Sequence, residues 1–334
     1  MTQSVIEDKL KTVLVTGATG FIGRALVAYL RRQHDICVVA AVRQLVSEFS
    51  DDIKQVALVE ISKDTDWSRA LVGVDVVVHC AARVHVMNES AADSAALSRK
   101  INVDGTLNLA RQASTCGVKR FVFLSSMNVH GEQTPVGQPF HAAQALVPKD
   151  DFAHFKLEAE EELQALAFES DMEVVTIRPP LVYGPGVKAN FRSMMSWVAK
   201  GVPLPLGAIN NRRSLVSLDN LVDLVVRCID HPAAANQVFL VSDGEDLSTS
   251  ELLRRMARAL GRPASLLPVP VFLLKLGATL LGKPGIAQRL CGNFQVDITT
   301  TCETLDWTPP VSVDDALART AADFLSSRAK QKGK

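Results

Sequence analysis

Gly17, Gly20 and Gly23 recur at intervals of three directly after the apolar run Thr12-Val13-Leu14-Val15, an order of strand, glycine turn and helix. Glycines so placed can cradle a phosphate: Gly17 allows a tight turn, Gly20 lets the backbone approach a pyrophosphate, and Gly23 lets the next helix pack closely. Free N–H groups in that helix's first turn, at Phe21 and Ile22, join the helix dipole to make an anion site, so a dinucleotide is the expected ligand. Arg43 stands 20 residues past Gly23, where an enzyme that prefers NAD usually carries an acidic residue for the ribose hydroxyl. Together with Arg24 it suits a 2′-phosphate, which makes NADP(H) the favoured cofactor and NAD(H) the alternative; the competing reading is two solvated arginines at element ends. The seven histidines show no metal-ligand spacing with cysteine or carboxylate, so no metal is expected.

These residues need a scaffold, and the first half of the chain supplies one by alternating strands with helices. After the first strand and a helix striped with Ile22, Ala25, Leu26, Tyr29 and Leu30, strands are expected at 36–40, 56–59, 74–79, 121–124 and 174–177. Helices are expected at Asp66 to Leu71, in a long stretch ending near Gln112, and from Asp151 to Phe168, the last with Lys156, Glu158, Glu160, Glu161 and Glu162 on a solvated face. The fold class is α/β: a Rossmann-type doubly wound parallel sheet with a smaller, partly interleaved C-terminal substrate domain. Its boundaries are expected at 11–180 for the dinucleotide domain with 214–243 returning to it, and at 181–213 and 244–327 for the substrate domain, leaving tails at 1–10 and 328–334. The return rests on Leu215-Val216-Ser217, a helix from Asn220 to Ile229 and a strand at 238–241. Ser248 with Glu251 reads as a capping box, and Asp314 to Ser326 as a final helix.

Thirty-six basic and thirty-six acidic side chains cancel, which argues against nucleic acid or an anionic membrane as the main partner. Six cysteines without paired spacing, and Glu7 and Asp8 where a signal peptide would be apolar, point to a reduced cytoplasmic protein. The stretch Leu266 to Leu281 is apolar but interrupted and too short to span a bilayer, so it is expected to be a core or interfacial helix with weak membrane-surface contact at most.

Further motifs occur in order: His-Cys-Ala-Ala at 79–82, Asn-Val-Asp-Gly-Thr at 102–106, Ser-Ser-Met-Asn-Val-His-Gly at 125–131 and Arg-Pro-Pro-Leu-Val-Tyr-Gly-Pro at 178–185. Together they resemble the extended short-chain dehydrogenase/reductase family, in its NAD-dependent epimerase/dehydratase branch, over the chain from Thr12 to Phe324. The stretches from Ala81 to Met87 and from Leu206 to Asn220 are similar to bacterial enzymes of O-antigen synthesis that act at carbon 4 of UDP-linked N-acetylhexosamines, either reducing a 4-keto-6-deoxy sugar or epimerising.

In this family a Ser, a Tyr and a Lys serve the nicotinamide, since hydride transfer needs a matching proton transfer. The resemblance implies Ser126 and Lys156 for two of these. The Tyr belongs four residues before Lys156, one helical turn away, and that residue is Phe152. Three readings follow: an engineered change that keeps the ring and deletes the hydroxyl, a natural change with Ser126, a water or His154 relaying the proton less well, or a natural non-enzyme. The resemblance also places Glu60, Ile61, Ala81, Ala82, Asn102 and Pro179 with the cofactor. It places Arg83, His85, Ser126 and Asn128 near the reacting sugar, and Asn190, Phe191 and Arg213 with the UDP moiety of a UDP-linked amino sugar. It further implies a homodimer. A steroid- or flavonoid-type dehydrogenase would share the first half of the chain but leave Arg213 unexplained.

Overall fold

The apolar run before the glycines forms β1 (Lys11–Thr16). Val13, Leu14 and Val15 are all fully buried, as a strand covered on both faces requires. In the computed structural model, which describes residues 10–83 and 91–332, β1 is followed by α1 (Phe21–Leu30), β2 (Ile36–Val42), β3 (Lys54–Ala57), α2 (Ser68–Leu71) and β4 (Val76–His79). Next come α3 (Ala91–Arg99), a π-helical turn at Lys100–Gly105, α4 (Thr106–Thr115), β5 (Arg120–Leu124), α5 (Asp151–Glu169) and β6 (Glu173–Arg178). The rest of the chain adds β7 (Leu181–Tyr183), α6 (Ala189–Ala199), β8 (Leu215–Ser217), α7 (Leu218–Asp230), β9 (Val238–Leu240), α8 (Thr249–Ala259), α9 (Val271–Leu280), α10 (Pro284–Cys291), α11 (Thr299–Leu305) and α12 (Val313–Lys332).

The main sheet has the order β3-β2-β1-β4-β5-β6-β9. Its pairings from β3 through β6 are parallel. The order reverses between β1 and β4, and ligands of such sheets bind beyond the strands' carboxyl ends at that switch point. One face carries a core of Leu14, Trp67, Val77, Phe121, Phe123 and Leu163 with their neighbours.

The chain divides into two units: residues up to Val129 with Asp150–Ile177 and Val225–Val238, and His130–Lys149 with Arg178–Leu224 and the remainder from Phe239. Both boundaries differ from those expected. Residues 130–149 leave the first unit because their backbone is hydrogen-bonded to a later segment, Thr134 to Asn293 and Phe140 to Gln295. The return to the first unit is shorter than 214–243, since β8 pairs in parallel with β7 in a separate two-stranded sheet. What fixes the returning piece is Arg120, buried at the start of β5, whose guanidinium donates to the carbonyls of Cys228 and His231 at 2.7 and 3.0 Å. Asn236 adds an acceptor for the Val174 amide at 2.9 Å.

Strand β3 begins and ends two residues before the expected 56–59. It lies at the sheet edge, where burial is partial, so its apolar run does not mark the pairing. The final helix outruns its expected end at Ser326 and extends to Lys332. The capping signal at Ser248 is realised: its hydroxyl accepts from the Glu251 amide at 3.0 Å.

Candidate active site

At the carboxyl ends of β1 to β4 the first unit contains a cavity of about 490 Å3, lined by Gly17, Gly20, Arg43, Glu60, Ile61 and Ala81 among others. Gly17 takes a φ of +63°, and a Cβ there would lie 2.8 Å from the Ala81 backbone, so the turn can be made only by glycine. A Cβ on Gly23 would come within 2.2 Å of the Gly17 carbonyl; α1 therefore starts directly on the turn. No side chain caps α1 and no acidic residue sits in its first turn, which leaves the Phe21 and Ile22 end suited to an anion. The residues fit a dinucleotide: a bare backbone cradle for phosphates beside a cleft with Leu58, Val59 and Trp67 on its walls.

Arg43 lines this cavity, whereas Arg24 is engaged outside it, paired with Glu48 at 2.6 Å. Glu60 lines it too and is held by Lys100 at 2.9 Å, an exposed pair in which hydrogen bonding and charge keep the carboxyl below its usual range. Asn102 is buried and brackets one residue, accepting from the Arg83 amide at 2.8 Å and donating to the Arg83 carbonyl at 2.9 Å. It thus fixes the backbone after Ala82. His85 lies outside the described residues.

Deeper along the same strand ends, His79 is buried between two hydroxyls, Thr16 at 2.8 Å and Thr106 at 3.0 Å. Because Thr106 donates onward to the Asn102 carbonyl, His79 must donate from Nε2 and accept at Nδ1 from Thr16. Burial, with the charge of Lys156 adding to it, pushes its pKa down to about 3, so the ring is neutral near pH 7.

Helix α5 presents Lys156. The Asp150 carboxylate caps it by accepting from the Ala153 amide at 2.8 Å, which sets the phase of the turns that follow. Lys156 is 2% exposed, against the solvated face expected for it, and Glu160 one turn later is also buried. Ala153, Lys156, Glu160 and Leu163 form one buried stripe while Glu161 and Glu162 face water. Their three- and four-residue spacing was the signal that the crowd of charges hid.

The Lys156 ammonium donates to the Leu124 carbonyl at 2.7 Å and lies 4.3 Å from the centre of the Phe123 ring. Desolvation lowers its pKa to about 8, with the Glu160 charge opposing that shift. Phe152 is half-buried one turn earlier, its ring centre 6.0 Å from the same nitrogen. Ser126 follows β5 two residues after Leu124 and is half-buried; its hydroxyl accepts from the Asn128 amide at 3.2 Å. Asn128 itself is exposed. Sequence reasoning passed over Ser125, whose hydroxyl donates to the buried Glu160 carboxylate.

In the second unit, Arg213 donates to the carbonyls of Arg289 and Gly292 at 2.8 and 3.2 Å, and its guanidinium stands 5.5 Å from the Phe294 ring centre. Burial draws its pKa down from the ordinary arginine value. Asn190 is exposed at the start of α6, but the Phe191 side chain is buried and stacked on Tyr183 at 5.2 Å, so only its backbone is open to a ligand. The Tyr183 hydroxyl is taken up by Asp243 at 2.8 Å, and burial raises its pKa above the usual phenol value. Pro179 is buried in this unit.

Residues 13–242 match the NAD dependent epimerase/dehydratase family. The chain belongs to this family. Among curated relatives of this epimerase/dehydratase, a UDP-glucose 4-epimerase of Vibrio cholerae is 52% identical over 95% of the chain and 96% of its own length. The solved UDP-glucuronic acid 4-epimerase of Bacillus cereus with NAD has the same fold, with a TM-score of 0.76 at 19% identity over 95% of this chain and 99% of that one. A tyrosine-to-phenylalanine mutant of that Bacillus enzyme, holding NAD and UDP-4-deoxy-4-fluoro-glucuronic acid, aligns with the same TM-score of 0.76 at 20% identity, over 95% of this chain and 99% of that one.

Proposed function

We propose that this epimerase/dehydratase holds a nicotinamide dinucleotide and a UDP-linked hexose for chemistry at the sugar's carbon 4, with Phe152 removing the hydroxyl that would carry the proton. The observation that carries this reading is the buried Lys156, held at the end of β5 beside the Phe152 ring. A buried ammonium costs folding stability, so its presence beside position 152 supports a working role, and a pKa near 8 suits proton chemistry at neutral pH.

The bound nicotinamide supplies hydride acceptance and return. On the protein side, Gly17, Gly20 and the first amides of α1 hold the pyrophosphate, Arg43 favours the 2′-phosphate of NADP(H), and Ser126 hydrogen-bonds the reacting oxygen. Lys156 would lower the pKa of a hydroxyl at position 152. Phenylalanine has no such hydroxyl, and a missing acid/base costs a factor of about 100 to 10,000. The Vibrio relative supports UDP-glucose as one substrate; the motifs at Ala81–Met87 and Leu206–Asn220 support its N-acetylated counterparts. The Bacillus mutant, which holds NAD and a UDP-sugar analogue with phenylalanine in place of a tyrosine, supports ligand binding.

The test is calorimetry with NAD, NADP, UDP-glucose and UDP-GlcNAc on the chain as it stands, then turnover after Phe152→Tyr. Binding of a UDP-sugar with a gain of about 100- to 10,000-fold in rate is the expected result. Bound NAD that survives purification would identify an epimerase; NADPH oxidation with a 4-keto sugar alone would identify a reductase. Phe152 also favours a second reading, a silent nucleotide-sugar binding protein. Binding retained with no turnover in Phe152→Tyr would establish that reading in place of the first.

A further inference from the structure

The charges of the chain cancel overall, yet they are unevenly spread. Between Glu251 and Asp297 there is no acidic residue, while seven cations occur, among them Lys275, Lys283 and Arg289. The centre of this segment is the pair α9 and α10, which pack against each other.

Helix α9 has no buried residue. Phe272, Leu276 and Leu280, four apart and therefore on one face, are 67%, 54% and 79% exposed. Leu273 beside them, Leu281 just after the helix and Ile286 on α10 are exposed as well. A contiguous apolar patch of this kind marks a surface that meets something other than water.

Two observations choose the occupant. Among the described residues no helix is long and apolar enough to cross a membrane, so the pair can lie on a bilayer but not span it. Its charged residues, Lys275, Lys283 and Arg289, are all exposed and all positive, which complements anionic headgroups and opposes a second copy of the same patch. We propose that α9 and α10 dock the protein on an anionic phospholipid surface, with Phe272, Leu276, Leu280 and Leu281 at the boundary of headgroups and acyl chains and Lys275 and Lys283 against lipid phosphates. This docking stands apart from the reaction at Lys156 and holds whether or not Phe152→Tyr restores turnover.

The test is co-sedimentation of the full chain with vesicles of phosphatidylglycerol and phosphatidylethanolamine, compared with phosphatidylcholine alone. The expected result is binding about tenfold stronger to the anionic vesicles, falling severalfold between about 0.1 and about 0.5 M salt. Phe272→Ser/Leu276→Ser/Leu280→Ser is expected to lose that binding with the melting temperature and dinucleotide affinity unchanged. Lys275→Glu/Lys283→Glu, confined to exposed positions, is expected to lose it as well. Equal binding to both vesicle types, binding to neither, or a sedimentation-equilibrium dimer that the triple serine variant dissociates would each overturn the proposal.

Discussion

Lys156 in the first unit and Arg213 in the second meet the same physical pressure. Each cation is drawn out of water, each donates to main-chain carbonyls, and each lies by an aromatic ring, at 4.3 Å for Phe123 and 5.5 Å for Phe294. In both, burial lowers the pKa. The outcomes differ because an ammonium can give up its proton within reach of neutral pH and a guanidinium cannot. The first group can change its charge near neutral pH, whereas the second keeps its charge fixed.

The strongest way to break this comparison is Lys156→Arg in the Phe152→Tyr background. It keeps the charge but replaces a compact ammonium with a broad planar group that cannot sit in the same way between the Leu124 carbonyl and position 152, and the regained turnover is expected to fall by about 100- to 10,000-fold in a steady-state assay. Retained turnover would mean that fixed charge suffices.

Lys156→Met tests what the buried charge costs. The folded pKa of about 8 lies below the unfolded value of 10.5, so the unfolded chain binds more protons between those limits, and stability rises with pH across that window. At pH 7 the penalty is fully present. Urea unfolding there is expected to show the methionine variant more stable by up to about 3 kcal/mol, less what the Leu124 carbonyl loses with its donor. The advantage should shrink as pH climbs past about 8 towards 10.5.

His79 sharpens the contrast as a buried base with both nitrogens satisfied. Its folded pKa of about 3 is below the unfolded 6.5, so its stabilising contribution is complete above pH 6.5 and is lost as pH falls towards 3. Between pH 6.5 and pH 5 this removes about 2 kcal/mol. His130, lowered to about 4 by burial and by Arg178, adds to the same acid limb. In His79→Gln the limb should flatten by His79's share, as followed by denaturant midpoints.

The smallest effect is expected from Arg213→Lys. The planar fork is lost but the charge remains, so UDP affinity by calorimetry should weaken about tenfold.

The parts of the first site legible in sequence are those that backbone geometry imposes on residue type. Gly17 must be glycine for its positive φ and Gly23 for its contact with the Gly17 carbonyl, so both announce the cavity. The parallel strands are legible because burial on two faces demands continuous apolar runs. Lys156 was located through its motif, but its burial was not: four nearby glutamates made α5 look solvated, and the stripe through Ala153, Glu160 and Leu163 is short. The exchange of residues 130–149 to the second unit left no local mark, because it depends on pairing with Asn293 and Gln295 far along the chain. Phe191 was assigned as a ligand contact, yet its ring is committed to Tyr183, a partner no spacing reveals.

The π-helical turn at Lys100–Gly105 has a further consequence for how this chain tolerates change. A π turn carries one more residue than the helical repeat allows, so α3 and α4 are one rod in space but two rods in phase. Asn102 sits within the surplus turn and reaches back to Arg83 from it, while a Cβ on Gly105 would meet the Ile61 side chain at 2.5 Å. Loss of a single residue there would restore an ordinary helix and rotate every side chain on one side of it by about 100° relative to the other. The segment is thus intolerant of altered length even where it tolerates altered identity, and the backbone at Arg83 is held from that surplus turn through Asn102.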